Sequence, residues 1–278
     1  MTRSNIIPFT KIQGTGNDFI IIDNRENLVT IEQIIELAPK MCHRTFGIGA
    51  DGIILLNNPS DPTLDYTMVY RNADGSNAGM CGNGARCLAL FANDLEMGSE
   101  LTFNVHKNIY KAKIIDKENI QISFPMKTEV TELQIEGQPT LYQSHPGTEH
   151  VVLSIEQDLL ENEEYLRATG KRLRNAEKFQ PPGTNVNFMY GGSADSLKLQ
   201  TYERGVEDLT LACGTGAIAS ALTWHHIQGN ETLKNNCTVR VKGGELTVEF
   251  SYDKHNNKYQ NIRLAGPAER VFSGEYHV

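Results

Sequence analysis

One five-residue pattern occurs twice. Cys81-Gly82-Asn83-Gly84-Ala85 and Cys213-Gly214-Thr215-Gly216-Ala217 share C-G-x-G-A and stand 132 residues apart, close to half of the 278-residue chain. Each copy follows a turn after a strand-like segment. Each opens an apolar run of helical length, from Gly82 to about Met97 and from Gly214 to about Gln228. A short match among small residues can arise by chance, but the shared strand–turn–helix context is better explained by two related halves. The pattern therefore predicts a two-domain α/β (α+β) chain in which each half presents a cysteine at the start of a helix.

The rest of the chain fits such halves. Lys11 to Asp23 reads as a strand broken by Gly14-Thr15-Gly16-Asn17-Asp18. Thr30, with Gln33 at the capping-box position, predicts a helix to about His43. Strands follow at Ile53–Leu56 and Asp65–Tyr70, and after the first cysteine helix at Thr102–His106, Ile109–Ile115 and Ile120–Phe124. Pro125-Met126-Lys127 reads as a domain boundary, giving domains of 1–124 and 125–267. In the second half, strands are expected at His150–Ile155, Asn185–Tyr190 and Leu197–Glu203, with a helix at Leu159–Thr169. The close is strand-rich, at Thr238–Val241, Glu245–Tyr252 and Asn261–Leu264.

Composition removes whole classes of function. Hydrophobic residues make up 39% and charged residues 22%, the balance of a globular protein. No apolar run approaches the roughly 18–20 residues of a membrane helix. Met1-Thr2-Arg3-Ser4-Asn5 carries no signal-peptide core, so a cytoplasmic location is expected. With 26 basic against 34 acidic residues the net charge is −8, which argues against nucleic acid or an anionic membrane as the partner. The five cysteines, at 42, 81, 87, 213 and 237, form no C-x-x-C, so neither a structural zinc site nor a dithiol redox motif is expected. Cys42, Cys87 and Cys237 read as buried structural residues.

Cys81 and Cys213 read differently. A thiol at a helix N-terminus faces backbone N–H groups outside the helical ladder and the positive end of the helix dipole. Such a position stabilises the thiolate and lowers the thiol pKa from its free value of about 8.5. The glycines beside it let a carboxylate approach the amides of Gly82, Asn83, Gly214 and Thr215. Two such units facing one carboxylate suit inversion of the neighbouring carbon: one thiolate removes the α-proton and the other thiol returns a proton to the opposite face. No cofactor is called for by any motif, since there is no pyridoxal-lysine context, P-loop or H-E-x-x-H.

The two cysteine stretches, Arg71-Asn72-Ala73-Asp74-Gly75-Ser76…Met80-Cys81-Gly82-Asn83-Gly84-Ala85-Arg86-Cys87 and Tyr202-Glu203-Arg204-Gly205…Ala212-Cys213-Gly214-Thr215-Gly216-Ala217, resemble the signatures of diaminopimelate epimerases. Gly14-Thr15-Gly16-Asn17-Asp18-Phe19, Gly49-Ala50-Asp51-Gly52, Gly183-Thr184-Asn185-Val186-Asn187-Phe188 and Gly266-Pro267-Ala268 extend the resemblance along the chain. It implies two similar domains, each a curled, mostly antiparallel sheet around a central helix, with the site in the cleft between them. It also implies a C-terminal strand, 268–278, that returns to the first domain. By position, Cys81 and Cys213 would exchange protons with the substrate, and Gly82, Asn83, Gly214 and Thr215 would hold the reacting carboxylate. Asn17, Asn72, Asn185, Glu203 and Arg204 would line the remainder, and His150 and Glu203 would tune the thiols. Where the family usually shows Gly-Asn-Pro-His, this chain has Gly147-Thr148-Glu149-His150, with Thr148 in place of an amide expected near the distal end of the substrate.

The implied reaction is LL- to meso-diaminopimelate epimerisation, without cofactor or metal, on a small-molecule amino acid and in a chain that can form a homodimer. A racemase of another amino acid on the same scaffold is the close alternative, and a thiol redox protein or amino-acid-binding module the distant one. Arg204 favours the dicarboxylate, because its planar fork suits a second carboxylate.

Overall fold

The computed structural model describes residues 6–135, 137, 139–229 and 235–278. Residues 1–5, read above as carrying no leader, lie outside the described residues. The chain divides into two compact units, Met1–Ser123 with Gly266–Val278, and Phe124–Ala265. Among the described residues no helix is long and apolar enough to cross a membrane.

In the first unit, β1 (Ile6–Gly14) and β2 (Asn17–Asp23) form a hairpin whose turn uses positive φ at Thr15 and Gly16. The helix α1 (Ile31–Met41) starts at Thr30, and the capping box with Gln33 is formed in full. It crosses to β3 (Gly52–Asn57), parallel to β2, and β4 (Tyr66–Asn72) runs antiparallel to β3. The cysteine helix α2 (Gly82–Asp94) crosses to β5 (Glu100–Val105), parallel to β4. The antiparallel strands β6 (Asn108–Asp116) and β7 (Asn119–Phe124) follow.

The second unit opens with β8 (Val130–Leu133) and β9 (Leu141–Ser144), then repeats the scheme. From β10 (His150–Ser154), α3 (Gln157–Leu160) and α4 (Glu163–Arg174) cross to a parallel β11 (Asn185–Ser193), and β12 (Ser196–Glu203) runs antiparallel to it. After the short β13 (Asp208–Thr210), the cysteine helix α5 (Gly214–Ile227) crosses to β14 (Asn236–Val241), parallel to β12. The antiparallel β15 (Gly244–Asp253) and β16 (Lys258–Gly266) close the unit, and β17 (Glu269–His277) pairs antiparallel along β1. Both units thus read parallel crossover, hairpin, parallel crossover through the cysteine helix, hairpin. The sequence echo is therefore a duplication of topology as well as of five letters.

Parallel neighbours need a crossover of a dozen residues or so, and in each unit the second crossover is the helix the sheet wraps. α5 has no polar face, and every residue from Gly214 to Thr223 is buried, as in a helix enclosed on all sides. α2 buries Gly82 through Ala89, Phe91 and Ala92. Cys42, Cys87 and Cys237 are buried, as expected of structural thiols.

The structure departs from the sequence reading in several elements. The single helix expected at Leu159–Thr169 is two. The Asn162 side chain accepts from the Tyr165 amide and starts a new helix, which runs on to Arg174 and buries Leu166 and Leu173. α2 ends at Asp94 rather than Met97, because positive φ at Glu96 and Gly98 turns the chain out. Strands β8, β9 and β13 had no signal of their own.

Candidate active site

Cys81 is the N-cap of α2, in extended backbone, and its Sγ accepts from the Gly84 amide at 3.4 Å. The sulfur also lies 3.7 Å from Asn17 Oδ1, toward which a thiol S–H donates. The Asn17 amide cannot turn over, because its Nδ2 donates to Asp51 Oδ2 at 2.5 Å, a carboxylate that only accepts. Asn83 Nδ2 donates to the same Asn17 oxygen at 3.2 Å. Asp51 belongs to a cluster with Arg44, Asp18 and Lys11: Arg44 bridges both carboxylates, and Lys11 Nζ sits 2.8 Å from Asp18. Burial opposes charge on Asp18, but Arg44 and Lys11 outweigh it and hold the carboxyl at about 2. Asp51 moves the other way, raised by burial and by Asp18.

Arg86, five residues after Cys81, is fully buried beneath the first turn of α2. Its guanidinium donates to Thr15 Oγ1, Asn83 Oδ1, the Gly82 carbonyl and the Pro267 carbonyl. These acceptors are neutral oxygens, so the cation keeps its charge beside the thiol; burial alone pulls its pKa down, to about 10. The sequence reading gave Arg86 no role, although an arginine among Gly, Ala and Leu in a core helix was the available signal. Asn72 caps its own turn, donating to Ser76 Oγ at 3.0 Å.

Cys213 is the N-cap of α5, buried, with Thr215 Oγ1 3.7 Å from its sulfur. Thr215 Oγ1 is 2.9 Å from His150 Nε2, and Thr148 Oγ1 lies 2.9 Å from the same nitrogen. Thr148 thus reaches His150 with its hydroxyl. His150 has no exposed surface, and burial above all drives its pKa down to about 3, so the ring is neutral. On its other side Asn187 Nδ2 contacts His150 Nδ1 at 3.0 Å. Asn187 and Thr201 were not singled out in the sequence, though two asparagines at i and i+2 in an apolar strand put both on one face.

The second glycine of each motif serves packing rather than ligand access. A Cβ on Gly84 would lie 2.7 Å from Ile54 Cδ1, and one on Gly216 would lie 2.5 Å from Asn187 Oδ1 and 3.1 Å from Thr201 Oγ1. Gly82, Asn83, Gly214 and Thr215 supply the first-turn amides, which helical geometry leaves outside the i to i−4 ladder.

Arg204 is not an unoccupied cation. Its Nη1 donates to Glu149 Oε2 at 2.7 Å and to the Pro182 and Gly183 carbonyls at 3.2 and 3.3 Å. Burial opposes charge on Glu149, but its own backbone amide and Arg204 outweigh it and keep the carboxyl below the usual glutamate range. Asn185 ties the two segments together, donating to the Glu149 carbonyl and accepting from the Arg204 amide. Glu203 ends β12 opposite Asp208, and its carbonyl accepts from the Glu207 amide. Among the described residues, no three His, Cys, Asp or Glu side chains gather as a metal ion requires.

Comparison with known proteins identifies the family. A family model described as diaminopimelate epimerase matches residues 9–132 and 142–271. The chain is 42% identical over 263 residues to the diaminopimelate epimerase of Flavobacterium psychrophilum, covering 94% of this chain and 97% of that protein. It is 36% identical over 280 residues to the diaminopimelate epimerase of Aquifex aeolicus, covering 96% of each. Among solved structures, a phenazine biosynthesis protein of the PhzF family from Bacillus anthracis superposes with a TM-score of 0.77 at 14% identity, over 98% of this chain and 99% of that one. A hydroxyproline epimerase from Agrobacterium vitis does so with a TM-score of 0.70 at 13% identity, over 100% of this chain and 94% of that one. At such identities these two share the fold.

Proposed function

The chain belongs to the diaminopimelate epimerase family, and from that premise we propose that Cys81 and Cys213 are the two acid/base groups of its reaction. As a member of that family it is an isomerase, converting LL- to meso-diaminopimelate in lysine biosynthesis. One observation carries the assignment of the thiols. Each cysteine is the N-cap of a helix with a Gly-x-Gly first turn, at the same step of a duplicated topology.

In the forward direction one thiolate takes the α-proton onto sulfur, and the other thiol delivers its proton to the opposite face of the carbon. The product leaves the enzyme with its two sulfurs in exchanged protonation states, which the reverse reaction uses. The Gly82, Asn83, Gly214 and Thr215 amides receive the reacting carboxylate and stabilise the charge that spreads onto it in the transition state. Positioned proton transfer supplies about 10²–10⁴-fold of the rate, and the first-turn dipoles must supply much of the rest. Arg204 meets the distal carboxylate, Asn17, Asn72 and Asn185 line the pocket, and His150 and Glu203 act on the thiols.

The test is exchange of the α-proton in D₂O with LL-diaminopimelate. Folded Cys81→Ala and Cys213→Ala should each lose epimerisation. Near-wild-type turnover in either would end the two-thiol assignment.

A further inference from the structure

Behind Cys213 runs a chain of four side chains whose donors and acceptors can be assigned without seeing a hydrogen. Asn187 Nδ2 lies 3.0 Å from the Val151 carbonyl, which can only accept, so the amide nitrogen faces that way. Its oxygen is 3.0 Å from Thr201 Oγ1, and a hydroxyl there donates. The second N–H of the amide is then aimed at His150 Nδ1, 3.0 Å away. A ring nitrogen that receives a hydrogen bond carries no proton, so in the neutral ring the proton sits on Nε2. Nε2–H donates into the pair Thr148 Oγ1 and Thr215 Oγ1, each 2.9 Å off and 3.4 Å from one another. Thr215 accepts from Nε2–H with one lone pair, and its hydroxyl hydrogen can point at the Cys213 sulfur, 3.7 Å away.

We propose that Asn187, braced by Thr201, is a positioning residue that fixes His150 as the Nε2–H tautomer and so turns the Thr215 hydroxyl hydrogen toward Cys213. Every bond in the chain donates in the same sense, from the sheet toward the sulfur, and a row of aligned donors favours the thiolate at its end. Two further observations support the assignment. Asn187 has no exposed surface and Thr201 almost none, so neither can turn to water instead. Gly216 also leaves the space they occupy, since a Cβ there would meet Asn187 Oδ1 at 2.5 Å. In the first half, Ile54 stands against the equivalent Gly84 and no such chain exists among the described contacts of that glycine. The charged or titratable groups that act on His150 from neighbouring segments are Arg204 and His145, which oppose a proton on the ring, and Glu149, which favours one.

The inference rests on Cys213 being one of the two acid/base groups, and the experiment separates the two claims. Nitrogen NMR of the ¹⁵N-histidine-labelled full chain reads the His150 tautomer directly, whether or not the enzyme turns over. Wild type should show Nε2–H and a ring that stays neutral at pH 6. Asn187→Leu should lose the single tautomer. Its bell-shaped kcat/KM profile should move upward by about half to one pH unit, the size expected when a charged sulfur loses a donor and the shift is shared by a coupled pair. Thr201→Ser, which keeps the hydroxyl, should retain both wild-type properties. An Nδ1–H ring in wild type overturns the proposal even if Asn187→Leu does not fold. A folded Asn187→Leu whose profile drops in height without moving along the pH axis also overturns it, because that is what simple loss of packing would do. Failure of Cys213→Ala to stop epimerisation would instead remove the premise.

Discussion

Glu149 already pairs with Arg204, so a carboxylate that binds Arg204 must compete with it, and replacing Glu149 should tighten binding. The guanidinium is committed to Glu149 Oε2 at 2.7 Å, with side chains 26% and 31% exposed. A distal carboxylate arriving at Arg204 must displace or share that partner. Fully exposed pairs are worth about 0.2–1 kcal/mol and buried ones more, so a pair a quarter to a third exposed is worth about 1 kcal/mol. At 1.4 kcal/mol per tenfold, Glu149→Gln should lower the KM for LL-diaminopimelate roughly fivefold, with kcat little changed because the reacting end is untouched. The assay is deuterium incorporation at the α-carbon over a range of substrate concentrations. Arg204→Met on its own should lower kcat/KM by at least about thirtyfold, since removing the partner of a desolvated charge costs about 2–5 kcal/mol. On that background Glu149→Gln should do nothing, as expected for two residues acting on one interaction. A raised KM in Glu149→Gln would refute the reasoning, because it would make Glu149 a ligand contact. A lowered KM that persists without Arg204 would refute it equally.

Two further outcomes follow from burial. His150 titrates near 6.5 when unfolded and is held down to about 3 when folded. Its contribution to stability is therefore complete above pH 6.5 and is lost as pH falls from there toward 3. Urea unfolding should show wild type losing about 1.4 kcal/mol per pH unit more than His150→Gln between about pH 6 and 4, and parallel curves would count against the neutral buried ring. Gly216→Ala would gain up to about 1 kcal/mol in helix propensity, yet the clash with Asn187 and Thr201 should cost about 1–3 kcal/mol, for a net fall in the thermal midpoint. Gly79→Ala, where a Cβ would meet nothing within 4 Å, should not lower it.

The cysteine echo makes the duplicated fold legible in the sequence, because each copy marks a helix start and helix starts have local chemistry. The Thr30–Gln33 box and the long apolar strands were readable for the same reason. Elements held by partners far along the chain were not. β9 is a strand because β8 and β10 flank it, and nothing within Leu141–Ser144 says so. The helix expected at Leu159–Thr169 divides because Leu159-Leu160 belong to the short α3 and the Asn162 cap starts α4 afresh. In the site, the cysteines were found from their own neighbours in sequence. The Arg204–Glu149 pair spans 55 residues and the Thr201–Asn187 contact 14, so only folding reveals that Arg204 is occupied and that His150 has a fixed tautomer.

The two half-sites share a backbone and differ in what stands behind the sulfur. Five residues after Cys81 comes the buried cation Arg86; five after Cys213 comes Ile218. A catalyst with unlike bases still cannot favour one product, because the ratio of forward to reverse kcat/KM must equal the equilibrium constant. Any substitution near either cysteine must therefore lower kcat/KM by the same factor in both directions, however one-sided its contacts. The inequality of the halves has room to appear only in how that factor divides between kcat and KM for each stereoisomer. Saturation by one isomer at lower concentration than by the other would be the kinetic trace of a duplication that kept its fold and let its interior drift.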